Sequence, residues 1–491
     1  MKSRKQFWIV ICFITLAFIL RVYKLPTDLL FHRDQGLVAM DIYHQWHDGD
    51  ISLIGAPSDV DGIVHSAIYY WMLLPFYALS GGNVVVPAIF QIFLESISLL
   101  FLYLGVKKIF NEKTALLTIV IYAISYGMIS YSKWFITVPF ILPLTNILIY
   151  LLALQYKKPV NYIRIFITSL LVGQIIQTNA AVGVFIVPFL MYFYKQQIRT
   201  KSIAAVAAGI TLPAVPLIVF QLRHDFVTLK AIYTFVFGNS GGVGFGVSVF
   251  WDNLVIFLRE VNHSFLHPLY VISTALFIWG IYKIYSNKYK TLVYSYLLIP
   301  FLFLGLFQRG AISFFYIAAL PVVISVVSYG ILKLPTLLKY LTVVIIIIFN
   351  LNNLQYLYKP TNALIPIGDE NLITLQDRKN IIDWMYQKAH GKEFSVWIYT
   401  LPYFQDYPWN YLFVTYAKDK YSYQPEQTSS FSPGDLKTSE LFFNIYEPDP
   451  GNQSRLNAWF NEVNLNFGTV VDEYQSNDIY VQLREWNRMD L

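Results

Sequence analysis

The side chains best suited to chemistry fall in one early stretch, FHRDQGLVAMDIYHQWHDGD at Phe31 to Asp50, followed by SDVDGIVHSAIYYW at Ser58 to Trp71. After Asp34, the apolar Val38, Ile42 and Trp46 recur every four residues, and Tyr43 and Trp46 could serve as aromatic anchors. That spacing predicts a helix with one apolar face, lying in a membrane interface. Asp34 would open the helix, where the macrodipole and the free N–H groups favour a carboxylate. A carboxylate so placed is either an ordinary cap or a base. Arg33 beside it is a candidate for binding phosphate, and His32 and His65 add further donors. His44, His47 and Asp48 have a spacing that metal ligands use, since two histidines three apart share a helix face. Exposed histidines on an interfacial helix give the same pattern.

Composition dictates what must hold these residues. Only 13% of the 491 residues are charged and 56% are hydrophobic, whereas soluble chains run at roughly 25% charged. Such a chain has to hide its surface in lipid, and its 18% aromatic content suits long membrane interfaces. A span takes ~20 apolar residues. Eleven runs qualify, near 7–23, 84–106, 114–131, 134–155, 161–178, 180–194, 201–222, 264–282, 291–307, 311–330 and 340–357. With the N-terminus inside, the inner loops carry Lys107, Lys108 and Lys113; Lys157, Lys158 and Arg164; Lys195, Arg199 and Lys201; Lys283, Lys288 and Lys290; then Lys333 and Lys339. Every inner loop is then basic, as the positive-inside rule requires. The net charge of +6 is therefore a matter of topology and does not call for a nucleic-acid partner. Glu95, deep in the second run, is costly in lipid. Asn146 stands at similar depth in the fourth, which predicts a buried hydrogen bond between the two; a proton relay is the other reading.

This topology places residues 24–83, 223–263 and everything past 360 on the outer side, and with them any chemistry. Cys12 is the single cysteine, so no internal disulfide or thiol pair can form. The domain plan is a membrane module over 1–357, including the first outer loop 24–83, and a soluble outer domain over 360–491. In the latter, helices are predicted at 377–388, near 408–417 and at 455–463. Strands are predicted at 394–399, 441–446 and 478–483. The fold class is thus an α-helical polytopic membrane protein with interfacial helices in its first outer loop and a small C-terminal α/β domain. With no phosphate loop or nucleophile elbow, that domain reads as a module for stability or for docking an acceptor.

Asp34-Gln35-Gly36 and His65-Ser66-Ala67-Ile68-Tyr69-Tyr70-Trp71 sit where polytopic glycosyltransferases of the GT-C type have an acidic pair and a His-Pro-Pro-Leu-Tyr-Tyr-like motif. Tyr131-Ser132-Lys133-Trp134 resembles that family's Ser-Arg segment and Gln177-Thr178-Asn179 its Thr-Lys segment. Gln308-Arg309, ahead of Tyr316-Ile317-Ala318-Ala319-Leu320-Pro321, is similar to its late Arg followed by Tyr-Leu-Leu-Pro. In order, these motifs cover residues 1–357. They resemble most the dolichyl-phosphate-mannose protein mannosyltransferases and the bacterial aminoarabinose transferase. Gln35 stands in place of the second acid, both prolines after His65 are missing, and Asn179 replaces a Lys. The acceptor and a possible divalent metal are left open by these departures.

The resemblance implies an enzyme at the cell membrane that moves a sugar from a polyprenyl-phosphate donor to the hydroxyl of a protein or glycolipid acceptor. Its N-terminus would be cytoplasmic and its C-terminal domain extracytoplasmic. Such a donor already carries a good leaving group. The chemistry needs only a base for the acceptor and fixed positive charge for the departing phosphate. Asp34 is the expected base; Arg309, Arg33 and Lys133 are the expected phosphate ligands, and His65, Tyr69 and Tyr70 the expected substrate contacts. Displacement in one step with a single carboxylate would invert the anomeric centre, by analogy with inverting glycosidases. The alternative function is a transporter or flippase of lipid-linked glycans. That would favour midplane charge and inverted repeats, whereas here the charge lies at the outer edge and no repeat is visible.

Overall fold

All eleven apolar runs hold helix. The structure is a computed structural model and describes residues 2–58, 60–195, 199–237, 246–247, 249–307, 311–357, 373–430 and 441–485. Among these, five helices are long and apolar enough to cross a membrane, seven if each of two bent pairs is one span. The other runs hold shorter apolar helices, such as Tyr162–Thr178 and Lys290–Gly305. Large apolar side chains stay exposed along them, Leu222, Val271 and Leu337 among others, a surface that lipid covers and water would penalise. The chain is a multi-pass membrane protein.

Two compact units emerge. The membrane unit takes the chain up to Tyr23, Ser52–Met72 and Ile89–Leu357. Lys24–Ile51 and Leu73–Ala88 join the described C-terminal residues in a second unit. The first outer loop is thus divided between the units, and the stretch that bears Asp34 packs with the C-terminal segment.

Inside the membrane unit, polar groups are spent on broken helices. Glu112–Ile124 and Tyr126–Lys133 meet at Ser125 with a bend of 56°, and a break leaves the last carbonyls of the first helix without intrahelical partners. Arg21 supplies them. Fully buried, it donates from Nη2 to the Tyr122 carbonyl at 3.3 Å and from Nη1 to that of Ala123 at 3.2 Å. Its Nε reaches Ser132 Oγ at 2.8 Å and Glu95 Oε1 at 3.3 Å, and Tyr122 Oη donates to the same Glu95 oxygen at 3.1 Å. The expected Glu95–Asn146 bond is therefore corrected. Asn146 Nδ2 donates to Ser98 Oγ at 2.8 Å, one turn from Glu95, because a full countercharge displaces a neutral amide as the partner of a buried acid.

A second break separates Phe250–Phe265 from Tyr270–Ile284, at 93°, and the two breaks are tied together. Ser125 Oγ donates to the Ser264 carbonyl at 2.7 Å. Asn350 accepts from Tyr126 N at 2.8 Å while donating to the Phe265 carbonyl at 2.7 Å. The backbones meet so closely that a Cβ on Gly127 would lie 2.2 Å from the His263 carbonyl oxygen. Gly127→Ala is expected to cost about 1–3 kcal/mol through overpacking, read as a lowered melting temperature in detergent. An unchanged melt would refute this contact.

The second unit is built on a five-stranded sheet. Its strands are β3 (Phe394–Tyr399), β4 (Glu426–Thr428), β5 (Leu441–Tyr446), β6 (Thr469–Ser476) and β7 (Ile479–Glu485), in the order β4-β3-β5-β7-β6. The pair β1 (Ile54–Pro57) and β2 (Val64–Ser66) belongs to the membrane unit. β3 runs parallel to β4 and β5, and β7 antiparallel to β5 and β6. Alternation along the strands sends Trp397, Tyr399 and Phe442 to one face, against the helix Gln453–Asn466. Phe443 goes to the other face, where Trp384 of the helix Leu375–Ala389 meets it. The domain is a mixed sheet with helices on both faces. Each helix and strand predicted within it is present, and the unpredicted β4 and β6 are its two edges.

Candidate active site

The helix Arg33–Tyr43 forms where the spacing predicts it, with His32 as cap. The His32 ring accepts from the Gln35 backbone N–H, and Gln35 Oε1 accepts from His32 N at 3.0 Å, so the first turn is locked reciprocally. Asp34 takes the second position. Its carboxylate is 59% exposed and pairs with Arg33 Nη1 at 3.0 Å. The backbone on either side is buried while the pair itself faces outward.

The apolar face of this helix corrects the interfacial expectation. Val38, Ala39, Ile42 and Tyr43 are buried against the helix Tyr407–Leu412. A Cβ on Gly36 would fall 2.4 Å from Pro408 N, and the Tyr43 and Tyr411 rings meet edge to face at 6.4 Å. Periodicity identifies an apolar face but not its partner, and here protein covers it. Beyond Tyr43 the helix widens into a π-turn, His44–Asp48, in which Asp48 bonds His44 Nδ1 and His47 Nδ1 at 2.6 Å each. Both histidines thus turn onto one carboxylate. Among the described residues no three His, Cys, Asp or Glu side chains are placed to hold a metal ion.

His32 gives this unit a pH dependence. Burial first, and the nearby Arg378 guanidinium second, lower its pKa from 6.5 to about 3. Across that interval the unfolded chain holds a proton that the folded chain excludes. The contribution to stability is complete above pH 6.5 and lost as pH falls toward 3. The loss is up to about 1.4 kcal/mol per pH unit. His32→Asn keeps a capping side chain and removes the titration. Its melting temperature should fall less than that of the parent between about pH 7 and about pH 4.5, and equal falls would exclude His32 as the titrating group.

The remaining expected site residues belong to the membrane unit, except Arg309, which lies outside the described residues. His65 is half-buried on β2. Tyr69 and Tyr70 are buried just past it, and Tyr69 Oη donates to Gln91 Oε1 at 2.7 Å. Lys133, buried at the end of the helix Tyr126–Lys133, donates from Nζ to the Tyr23 carbonyl at 2.9 Å. Two residues earlier, Tyr131 Oη donates to the buried Glu260 at 2.7 Å. Elsewhere in this unit Phe257, Tyr296, Leu297, Phe301 and Tyr316 line a small apolar cleft.

No family model matches the chain, and no curated protein matches it in sequence. Solved structures do match. ArnT from Cupriavidus metallidurans, bound to undecaprenyl phosphate, superposes with a TM-score of 0.61 at 9% identity, over 96% of this chain and 97% of that one. The archaeal oligosaccharyltransferase AglB from Archaeoglobus fulgidus, in complex with an inhibitory peptide and a dolichol-phosphate, gives 0.50 at 10% identity, over 100% of this chain and 75% of that one. The chain shares its fold with these two structures.

Within this fold, several structure-bearing residues escaped the sequence reading. Arg21 offered a signal, a guanidinium inside an apolar run. Glu260 lay in a stretch read only as outer loop. Arg378 and Glu447 offered none, since their partners are distant in sequence: Arg378 Nε bonds the Phe31 carbonyl.

Proposed function

We propose that this chain is an integral membrane glycosyltransferase that moves a sugar from a polyprenyl-phosphate donor to an acceptor hydroxyl on the extracytoplasmic side. The observation that carries this is the exposed Asp34–Arg33 pair at the start of a capped helix, in a chain that shares a GT-C fold nearly end to end with ArnT. In this reading Asp34 takes the acceptor's hydroxyl proton. The acceptor oxygen bonds the anomeric carbon as the bond from that carbon to the phosphate oxygen breaks, and its electron pair leaves with the phosphate. One displacement inverts the centre. Arg33, Lys133 and Arg309 neutralise the departing phosphate. His65, Tyr69 and Tyr70 contact the substrate. The membrane module over 1–357 has eleven spans, a cytoplasmic N-terminus and the C-terminal domain outside. The acceptor is a protein or a glycolipid.

The test is direct. Purified protein in liposomes is given labelled polyprenyl-phosphate sugars with cell-envelope acceptor, and label is followed both into product and across the bilayer. Labelled product with an inverted anomeric centre is the expected result. Movement of donor between leaflets without product would instead establish a flippase.

A further inference from the structure

The C-terminal domain invites a role beyond stability or acceptor docking, because it holds the chain segment leading into Asp34. Leu29 to Phe31 lie against Ile373 to Leu375 as a short antiparallel addition: Leu30 bridges Thr374, Leu375 N donates to the Leu29 carbonyl at 2.8 Å, and Phe31 N to that of Ile373 at 3.3 Å. Arg378 then closes on the last carbonyl before the cap. Its Nε donates to Phe31 O at 2.8 Å. Its Nη1 lies 3.1 Å from Glu447 Oε1, and its guanidinium stacks 4.8 Å from the Trp409 ring centroid. Glu447 is itself fixed by Thr400 Oγ1 at 3.0 Å and Leu401 N at 3.1 Å. Arg378 and Glu447 are both almost wholly buried. Just beyond Asp34, Gly36 seats on Pro408 with no room for a Cβ. The backbone around Asp34 is therefore gripped on both sides by the domain while its carboxylate stays open.

We infer that the buried Glu447–Arg378 pair is the positioning device for Asp34: through the Phe31 carbonyl it sets where the base stands, so the C-terminal domain is part of the transfer machinery. This rests on the proposed role of Asp34. Arginine suits the task because its planar fork reaches a carboxylate and a carbonyl at once, whereas lysine presents one compact charge. Placement errors of about 1 Å lower rates by up to ~100-fold. Removing only the fork should thus lower turnover without weakening donor binding.

The experiment compares the full-length wild type with Arg378→Lys, Glu447→Gln and Asp34→Asn. It measures kcat and KM for transfer, with a melting curve for each, and amide exchange of the wild type. Arg378→Lys and Glu447→Gln should lower kcat by about 10- to 100-fold at unchanged KM, while melting above the assay temperature. In the wild type, the amides of Gln35 and Gly36 should exchange together with core amides of the helix Leu375–Ala389, and this holds as a test even if both variants unfold. If Asp34→Asn is inactive but the folded variants turn over like wild type, the positioning role is overturned and the base survives. Exchange of Gln35 and Gly36 far ahead of the domain core would overturn it as well. An active Asp34→Asn would instead remove the reading on which it rests.

Discussion

Asp34→Asn is expected to lower kcat for sugar transfer by about 10²- to 10⁴-fold, the range a positioned general base contributes, with KM for the donor little changed. The amide is nearly isosteric and stays in the first turn of its helix, so the substitution tests the proton acceptor and spares the scaffold. The reciprocal bonds between His32 and Gln35 that cap the helix do not involve position 34. A loss confined to kcat is the signature of an interaction made in the transition state. Arg33 will not substitute as base, because its guanidinium stays protonated. The check is steady-state transfer with a labelled donor together with a melting curve. An Asp34→Asn protein that transfers sugar at the parental rate would end the assignment.

The largest effect on stability should come from Arg21. Arg21→Met is expected to destabilise the protein by about 3–5 kcal/mol, the cost of leaving one half of a buried ion pair without its partner. Glu95 would keep only the Tyr122 hydroxyl on its Oε1, and the carbonyls of Tyr122 and Ala123 at the break would lose the donors that satisfy them. Methionine fills a similar volume, so little of the loss would be a cavity. Arg21→Met with Glu95→Gln should recover part of the stability by removing the stranded charge. It should not recover all of it, because the broken helix still needs its donors. Thermal unfolding in detergent of the single and double variants gives the ordering; a single variant that melts with the wild type would show that the pair contributes nothing.

Much of the architecture was legible in local pattern. Apolar run length located the five described helices long and apolar enough to cross a membrane, since lipid requires each backbone to satisfy itself within a helix. Alternation and caps gave most of the C-terminal elements. Capping chemistry and four-residue periodicity together placed Asp34 at the head of a helix with one apolar face. What those patterns could not give was the partner of each surface. Glu95 signalled a buried acid and Asn146 stood at similar depth, but packing gave Glu95 the guanidinium of Arg21 instead.

The sequence by itself determined the membrane class, the helices of the long apolar runs, the strands at the centre of the C-terminal sheet and a carboxylate beside an arginine at a helix start, because each depends on residues within a few turns of one another. Tertiary structure alone decided that the helix of Asp34 is clad by the C-terminal domain and not by lipid. It alone decided that Arg378, 347 residues from Phe31 in the chain, reaches the carbonyl that fixes its start. Long-range pairings leave no periodic trace. They are settled by which buried charge can satisfy which buried carbonyl once the chain has closed.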